Sequence, residues 1–351
     1  MKKHIFFLFI LLILCYACKE QHANINDFNI VKKIVEYDSI YSDINDEIVG
    51  IMGINKYKNF LISYNRSSAN FLSFYDIEKG FLLGSWGSRG QGPDDFINPS
   101  EISIIDSQLV FTHHVKQELV YVPIEPILNK EENKNIKRES YSSTGDFRPL
   151  RLEIINDKKI ALGFFTNNRF GVLDKDNNIV DCPSDYPFNY EEVTGIYRGL
   201  VFQYKIKSNI KQSKFVISTN CSDIFEIFQI TDIGIDRIFL NSFKHIPKIM
   251  ETPGRNSGYD VDRRNSIGGL VNMAVTDDLI YFMYTSKSYD ESARSGHLLN
   301  EILCFNWNGE KIKKYILPFP IKAISFCADN EFFYGVREFE NETVIYRFKM
   351  I

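Results

Sequence analysis

The chain has 351 residues, of which 44% are hydrophobic and 14% aromatic, and its formal net charge at pH 7 is −4. A chain of this length can bury a large core, and its many phenylalanines and tyrosines favour the half-buried surfaces of β-sheets. The near balance of 41 basic and 45 acidic side chains leaves no basic face, so we exclude a nucleic-acid partner.

The first eighteen residues have the pattern of an export signal. Lys2 and Lys3 precede an unbroken apolar run at residues 5–14, and the chain becomes polar from Lys19 onward. A membrane span needs about twenty apolar residues, so this shorter run fits a cleaved signal. Ala17 directly before Cys18 resembles the lipobox of bacterial lipoproteins. The resemblance implies cleavage before Cys18 and a lipid on its sulfur; the alternative is an ordinary signal without lipid.

From residue 28 onward, short runs rich in Ile, Val, Phe and Tyr alternate with turns rich in Asn, Asp, Gly and Lys. The runs predict strands, and no convincing amphipathic helix interrupts them. Taken in groups of four where the count allows, the predicted strands are 48–54, 59–64, 71–76 and 82–86; 101–105, 108–113, 118–123 and 138–142; 150–155, 159–164, 169–173 and 179–182; 199–206, 214–218, 224–230 and 236–241; 270–276, 279–285, 301–307 and 311–317; 323–328, 331–337 and 343–349.

Four-stranded groups that recur roughly every 40–55 residues are typical of propeller blades. We therefore predict an all-β fold, a single six-bladed β-propeller over residues 28–351, with five or seven blades as alternatives. The sixth group has only three strands, and the remaining strand at 29–37 can complete it beside 343–349. This pairing closes the ring and removes a free edge. We predict that residues 19–27 form a flexible tether.

Three polar segments interrupt the strand pattern. We predict that they form loops on the faces of the ring, at residues 129–137, 246–265 and 286–298.

Two stretches resemble known propeller families. GSWGSRGQGPDDFINP at 84–99 is similar to the blade junctions of NHL-type propellers, where glycines permit tight turns and Phe96 would fill the space between two blades. NMAVTDDLIYFMY at 272–284 and EILCFNWNGEK at 301–311 resemble the late blades of TolB-like six-bladed lipoproteins of Bacteroidetes; the Asn308–Gly309 pair predicts a hairpin turn. The resemblance implies a six-bladed ring, a Bacteroidetes source and a cell-envelope lipoprotein, and it implies no activity.

No recognised catalytic or metal-binding motif occurs in the sequence. There is no GxSxG elbow, no HExxH and no phosphate-binding loop, and we predict no metal and no cofactor. His113 and His114 are adjacent on a predicted strand and would point to opposite faces, so they cannot easily share a metal. The four cysteines beyond the signal are either buried free thiols or disulfides in the pairs Cys182–Cys221 and Cys304–Cys327.

Arginines near the predicted innermost strands are the remaining signal. In a propeller the starts of these strands surround the central channel at one face, where arginine, tyrosine and aspartate could hold an anionic or sugar-like ligand. In the alternative interpretation these arginines pair with nearby carboxylates and hold loops in place. The candidate ligand-binding residues are Arg89, Arg148, Arg198, Tyr197, Tyr259, Asp262 and Arg263.

The absence of catalytic motifs favours a binding or scaffolding module, anchored in the outer membrane through Cys18 and facing either the periplasm or the exterior. Its partners would be the lipid bilayer and an envelope protein, a glycan or a peptide. The alternative is an enzyme, a lyase or hydrolase acting on glycan or peptide at the channel mouth, because a propeller fold alone does not decide function. Extracellular sensing of a nutrient or partner is a third hypothesis.

Overall fold

The structure is a computed structural model. It describes residues 24–43, 50–92, 95–97, 99, 101–131, 135–143, 147–189, 193, 195, 197–202, 205–241, 243–252, 258–326, 331–339 and 342–350. The signal sequence, Cys18 and residues 19–23 of the predicted tether lie outside the described residues. The rest of that tether is part of the fold, because Ile25 is buried in the core.

Six blades, each built from four antiparallel strands, surround a central channel, as the strand pattern predicts. Two strands precede the first blade: β1 (Val31–Lys33) and β2 (Tyr37–Asp43). Blade 1 holds β3 (Ile51–Tyr57), β4 (Phe60–Asn65), β5 (Asn70–Asp76) and β6 (Phe81–Ser88). Blade 2 holds β7 (Ser103–Ile105), β8 (Gln108–His113), β9 (Glu118–Pro123) and β10 (Lys137–Ser140). Blade 3 holds β11 (Phe147–Ile155), β12 (Lys158–Phe165), β13 (Gly171–Leu173) and β14 (Ile179–Asp181).

The second half of the ring repeats this order. Blade 4 holds β15 (Ile206–Asn209), β16 (Lys214–Ser218), β17 (Phe225–Ile230) and β18 (Ile235–Leu240). A separate hairpin follows, formed by β19 (Ile249–Thr252) and β20 (Gly258–Val261). Blade 5 holds β21 (Ile267–Val275), β22 (Leu279–Ser288), β23 (Leu299–Asn306) and β24 (Lys311–Ile321). Blade 6 holds β25 (Ala323–Phe326), β26 (Phe332–Phe339) and β27 (Glu342–Lys349), completed by β2.

The two ends of the chain close the ring in blade 6, but with a later strand than predicted. The closing strand is β2, which pairs antiparallel with β27 from Tyr37 opposite Phe348 onward. The predicted strand 29–37 overlaps β2 only at Tyr37; its central part forms β1, which pairs parallel with β24 of blade 5. Ile34 separates the two strands because its side chain, only 3% exposed, packs into the core shared by blades 5 and 6.

The first strand of each blade lies innermost, and neighbouring inner strands such as β25 and β3, or β15 and β21, contact each other around the channel. The starts of these strands surround one end of the channel, which we call the first mouth. Their ends surround the other end, the second mouth.

Aromatic side chains fill the spaces between blades. Phe96, fully buried, packs against Phe71 of blade 1 and Phe111 of blade 2, with ring centroids 6.4 and 5.3 Å away, which confirms its predicted place between two blades. Burial of a phenylalanine of this kind stabilises a fold by about 1.5–3 kcal/mol. Gly309 follows Asn308 at φ +84° in the turn between β23 and β24, as the hairpin signal predicts.

Within the described part of the chain, three short helices interrupt the strand pattern, which the sequence did not predict. They are α1 (Ile124–Leu128), α2 (Tyr197–Phe202) and α3 (Tyr289–Arg294). The predicted strand 199–206 is therefore wrong: helix α2 occupies its first part, and β15 begins only at Ile206. The helix lies tightly against β12, since a Cβ added at Gly199 would be 2.6 Å from the backbone of Phe164. No helix of the described residues is long and apolar enough to cross a membrane.

The predicted loop at 246–265 contains the β19–β20 hairpin, and the predicted loop at 286–298 contains helix α3. Ser288 and Glu291 form a reciprocal capping box that starts this helix.

The described cysteines, Cys182, Cys221 and Cys304, are free thiols, so the Cys182–Cys221 bridge is not formed. Cys327 lies outside the described residues. Burial raises the pKa of Cys221 and of Cys304 to about 12, which makes both thiols unreactive near neutral pH.

Candidate functional site

A cavity of about 420 Å³ opens at the first mouth, and we call it the axial cavity. It forms where the inner strands begin, because the propeller brings these six positions of the sequence to one ring. Each blade contributes to the lining. One representative from each blade, in order, is Met52, Glu101, Leu150, Lys205, Asn272 and Lys322.

The lining of the axial cavity is strongly basic, although the whole chain carries a net charge of −4. Among the residues that the structure describes, five basic side chains line it, against the single carboxylate of Glu101. The five are Arg66, Arg89, Arg151, Lys205 and Lys322. Such an excess in a partly enclosed site creates a positive potential that attracts anions.

Glu101 forms a buried ion-pair cluster at the floor of the cavity. Lys205 Nζ lies 2.8 Å from Glu101 Oε2, and Lys207 Nζ lies 3.5 Å from Oε1. Burial would raise the pKa of Glu101, but the positive charges of Lys205, Lys207 and Arg151 outweigh burial and lower its pKa to about 2. The carboxylate is therefore ionised and neutralised at physiological pH, and the other basic groups of the lining stay in excess.

Glu153 of β11 lies deeper in the channel and joins three blades. Its two carboxylate oxygens accept hydrogen bonds from Ser103 Oγ and Ser208 Oγ, each at 2.6 Å. Burial raises the pKa of Glu153, and the charge of Glu101 adds to this rise. Below it a second cavity of about 600 Å³ opens at the second mouth, and Glu101 and Asn272 border both cavities.

Two histidines and several aromatic rings complete the axial cavity. Burial, with the charge of Arg151, lowers the pKa of His114 to about 4, so its imidazole is neutral at physiological pH. Burial also lowers the pKa of His297, whose ring meets Tyr289 edge-on at 5.1 Å. Tyr64 and Phe71 line the blade 1 side. The cavity thus combines charged donors, neutral imidazoles and aromatic surface, which suits an anionic group attached to a compact, partly apolar body.

The comparison with known proteins agrees with this architecture. The family model described as TolB-like 6-blade propeller-like matches residues 27–330 of the chain. The chain belongs to this TolB-like propeller family. The match covers every blade at least in part, and the family assignment states a fold and no activity.

Solved structures resemble the TolB-like propeller along nearly its whole length. One is a member of the DUF4221 family from Bacteroides vulgatus ATCC 8482, with 12% identity, a TM-score of 0.57 and coverage of 90% of this chain and 97% of that one. Another, from Bacteroides fragilis NCTC 9343, is provisionally described as an exported protein; it has 12% identity, a TM-score of 0.54 and coverage of 92% and 99%. At these identities the likeness shows the fold alone. No curated protein matches the chain.

Two of the predicted ligand-binding residues of the TolB-like propeller lie at the axial cavity. Arg89 lines it, although its Nε donates to the carbonyl of Ser68 at 3.0 Å and another guanidinium nitrogen donates to the carbonyl of Asn65. Arg263 stacks over the ring of Tyr289 at 5.2 Å, and that tyrosine lines the cavity. Ligand binding by these arginines stays a prediction.

The other predicted residues lie elsewhere. Arg148 is exposed on β11 and lies outside the lining. The strand pairing is irregular between Pro149 and Arg151, and Leu150 and Arg151 line the cavity. Tyr197 and Tyr259 pack edge-on at 6.2 Å where α2 meets the β19–β20 hairpin.

Arg198 and Asp262 belong to the same region of α2 and the β19–β20 hairpin. Arg198 Nε donates to the carbonyl of Val193 at 2.7 Å. Asp262 accepts the backbone N–H groups of Arg264 and Asn265, each at 3.2 Å. This region lies outside the lining of the axial cavity, and a role of its four candidates in binding stays a prediction.

Arg66, Arg151, Lys205 and Lys322 line the cavity but were not predicted, and the two lysines share one feature of position. Each stands directly before the observed start of an inner strand, β15 and β25 respectively. Arg198 was favoured over Lys205 because the inner strand of blade 4 was placed seven residues too early, at 199 and not at 206. A search for all basic residues at predicted inner-strand starts would have included Lys322, whereas Lys205 lies within the predicted strand 199–206.

Proposed function

We propose that this TolB-like propeller is an envelope lipoprotein that binds a small anionic ligand in the axial cavity. The observation that carries the proposal is the lining itself, in which five basic side chains and one carboxylate come from five of the six blades. Because the chain is acidic overall, this local excess of positive charge is not a consequence of composition.

Arg66 is the basic group best placed to receive the anion. Its side chain is exposed at the cavity and makes no hydrogen bond or ion pair within the described part of the chain. Lys205 is already paired with Glu101, and Lys322 lies 2.5 Å from Glu338. A free guanidinium can give two parallel hydrogen bonds to a carboxylate, phosphate or sulfate, which a lysine cannot do.

The volume and the aromatic surface set the size of the ligand. A cavity of about 420 Å³ falls in the range of small-molecule sites. Tyr289, which is half-buried, offers aromatic surface against which a sugar or another ring can pack. These features favour a compact acid such as a uronic acid over a large polyanion.

Binding is a better interpretation of the channel carboxylates than catalysis. Glu101 is neutralised by two lysines, and Glu153 has both oxygens occupied by serine hydroxyls. Such contacts hold neighbouring inner strands together, and they leave neither carboxylate free to act as an acid or a base toward a bound molecule. We therefore propose recognition of a ligand without its chemical conversion.

Anchoring in the membrane is the second part of the proposal. The short apolar run and the Ala17–Cys18 pair support a lipid on Cys18, and the related protein of Bacteroides fragilis is provisionally described as exported. Replacement of Cys18 by Ser should move the protein from the membrane fraction to the soluble fraction. Retention of the Cys18→Ser protein in the membrane fraction would contradict the lipid anchor.

Calorimetric titration with paired probes tests the binding site. Glucuronate and glucose differ in one carboxylate, and we expect glucuronate to bind more tightly than glucose. Arg66→Gln should weaken glucuronate binding by about tenfold, the loss of a charge-assisted contact. Arg264→Gln is the matched control, because Arg264 is exposed and lies outside the lining. Equal binding of the two sugars, or equal affinity in wild type and Arg66→Gln, would contradict the proposal.

A further inference from the structure

The described chain begins at the face of the second mouth. Lys311, the first residue of β24, donates through Nζ to the carbonyls of Asn24 at 2.7 Å and Asp27 at 3.1 Å. β24 starts at the second-mouth end of blade 5. Thr276 and Asp277, which border the cavity at the second mouth, lie just before the start of β22. The end of β23 pairs with the start of β22, and β24 follows the turn after β23. Ile25 and Phe28 pack into the core shared by blades 4 and 5, which fixes this segment in place.

The distance from this point to Cys18 is short. Residues 19–23 are the only residues between Cys18 and Asn24, and a fully extended chain spans at most about 3.6 Å per residue. A lipid on Cys18 therefore lies within roughly 20 Å of Asn24. This reach is too short for the lipid to pass around a ring of six blades, so the anchor favours one face of the propeller.

Exposed isoleucines occur at the same face. Ile233 is 96% exposed in the turn between β17 and β18, and Ile210 is 48% exposed in the turn between β15 and β16. Both turns lie at the second-mouth end of blade 4, the blade against which Ile25 packs. An aliphatic side chain this exposed at a turn gains free energy if it enters an apolar phase.

We propose that the second-mouth face is the membrane-proximal face, and that Ile233 and Ile210 contact the lipid bilayer. The inference rests on the lipid anchor at Cys18 proposed above. The lipid anchor and a small apolar contact reinforce each other, since the anchor holds the isoleucines at the bilayer surface. As a consequence, the axial cavity at the first mouth faces away from the membrane and is open to ligands from the surrounding solution.

The test places a fluorescent reporter on each face of the lipidated full-length protein. Ile233→Trp reports on the second-mouth face. Val115→Trp is the matched control, because Val115 is 62% exposed in the turn that follows His114 at the first mouth. Each variant is bound to vesicles of phosphatidylethanolamine that contain brominated phosphatidylcholine, which quenches tryptophan only in or near the bilayer. The wild type supplies the background of Trp86 and Trp307.

We expect the added fluorescence of Ile233→Trp to fall about twofold on vesicles with brominated lipid, and that of Val115→Trp to stay unchanged. Equal quenching of both reporters, or stronger quenching of Val115→Trp, would overturn the proposed orientation while leaving the anchor intact. Failure of the lipidated wild type to float with the vesicles would overturn the anchor itself, and the membrane-proximal face with it.

Discussion

Arg169 and Glu226 form a buried ion pair that joins blade 3 to blade 4. Arg169 Nε donates to Glu226 Oε2 at 2.6 Å, and their side chains are 1% and 0% exposed. The remaining guanidinium donors reach Thr219 Oγ1 at 3.0 Å and the carbonyls of Ser218 and Phe202. Arg169 thus ties helix α2 and two strands of blade 4 to blade 3, at a place where charge without partners would destabilise the core.

Removal of Arg169 should destabilise the fold strongly. We expect Arg169→Met to lower the free energy of unfolding by about 3–5 kcal/mol, because Glu226 would keep its charge in the core and, of the described residues, Arg237 alone would remain as its ionic partner. Urea denaturation followed by circular dichroism measures this loss. Lys349→Met is the control, since the Lys349–Glu36 pair is half exposed and should be worth less than about 1 kcal/mol. Equal losses in the two variants would contradict this account.

A close backbone approach gives a second prediction, at the junction of blades 4 and 5. Gly269 has φ +68°, and a Cβ added there would lie 1.9 Å from the carbonyl oxygen of Ser222. That same carbonyl accepts a hydrogen bond from the N–H of Leu270 at 3.1 Å, so the two segments cannot separate without losing it. Gly269→Ala should therefore cost clearly more than the backbone strain alone.

Gly296→Ala isolates the strain. Gly296 has nearly the same φ, +67°, and open space around the position of the added Cβ. A left-handed conformation costs a non-glycine residue about 1–2 kcal/mol, and we expect that loss for Gly296→Ala and a larger one for Gly269→Ala in the same denaturation assay. A Gly269→Ala protein as stable as Gly296→Ala would show that the approach to Ser222 relaxes freely.

The overall ring could be predicted from the sequence because it depends on patterns that repeat. Alternating apolar runs and turn residues are local signals, and they predict the blades. The last group lacks one strand, and this count predicts that the two ends of the chain close the ring. Strand limits depend on tertiary packing. Helix α2 replaced a predicted strand because Gly199 lets the chain approach β12, and Ile34 divided the predicted closing strand because its side chain is needed in the core.

The candidate site was less predictable, and the reason is geometric. A sequence identifies arginines near inner strands, but a displacement of one residue in a strand reverses the direction of a side chain. The register of β11 also depends on an irregularity in strand pairing between Arg148 and Arg151, and only Arg151 lines the cavity. The position of such an irregularity follows from the packing of the whole blade, which no local pattern reports.

The pH dependence of stability provides a third prediction through His114. Its pKa in the folded protein is about 4, because burial and the charge of Arg151 disfavour the imidazolium, whereas its ordinary value is 6.5. As the pH falls below 6.5 the unfolded chain binds a proton before the folded one, so stability is lost between pH 6.5 and 4. The contribution is on the order of 3 kcal/mol, and most of it is lost by pH 4.

Comparison of the wild type with His114→Gln isolates this contribution. As the pH falls from 7 to 4, the free energy of unfolding of the wild type should decrease relative to that of His114→Gln. NMR titration of His114 should show an unprotonated ring at pH 6. An imidazole that titrates near 6.5 in the folded protein would contradict the description of a buried, positively charged cavity.

The proposed function requires that an anion bind in the axial cavity beside Arg66. Anomalous diffraction at the selenium edge, from crystals soaked in sodium selenate, tests it most directly because selenate has the shape and charge of sulfate and a distinctive signal. We predict an anomalous peak inside the cavity, within hydrogen-bonding distance of the Arg66 guanidinium, and its loss in Arg66→Gln crystals. Selenate bound only at other surfaces, with no peak in the cavity, would contradict the account.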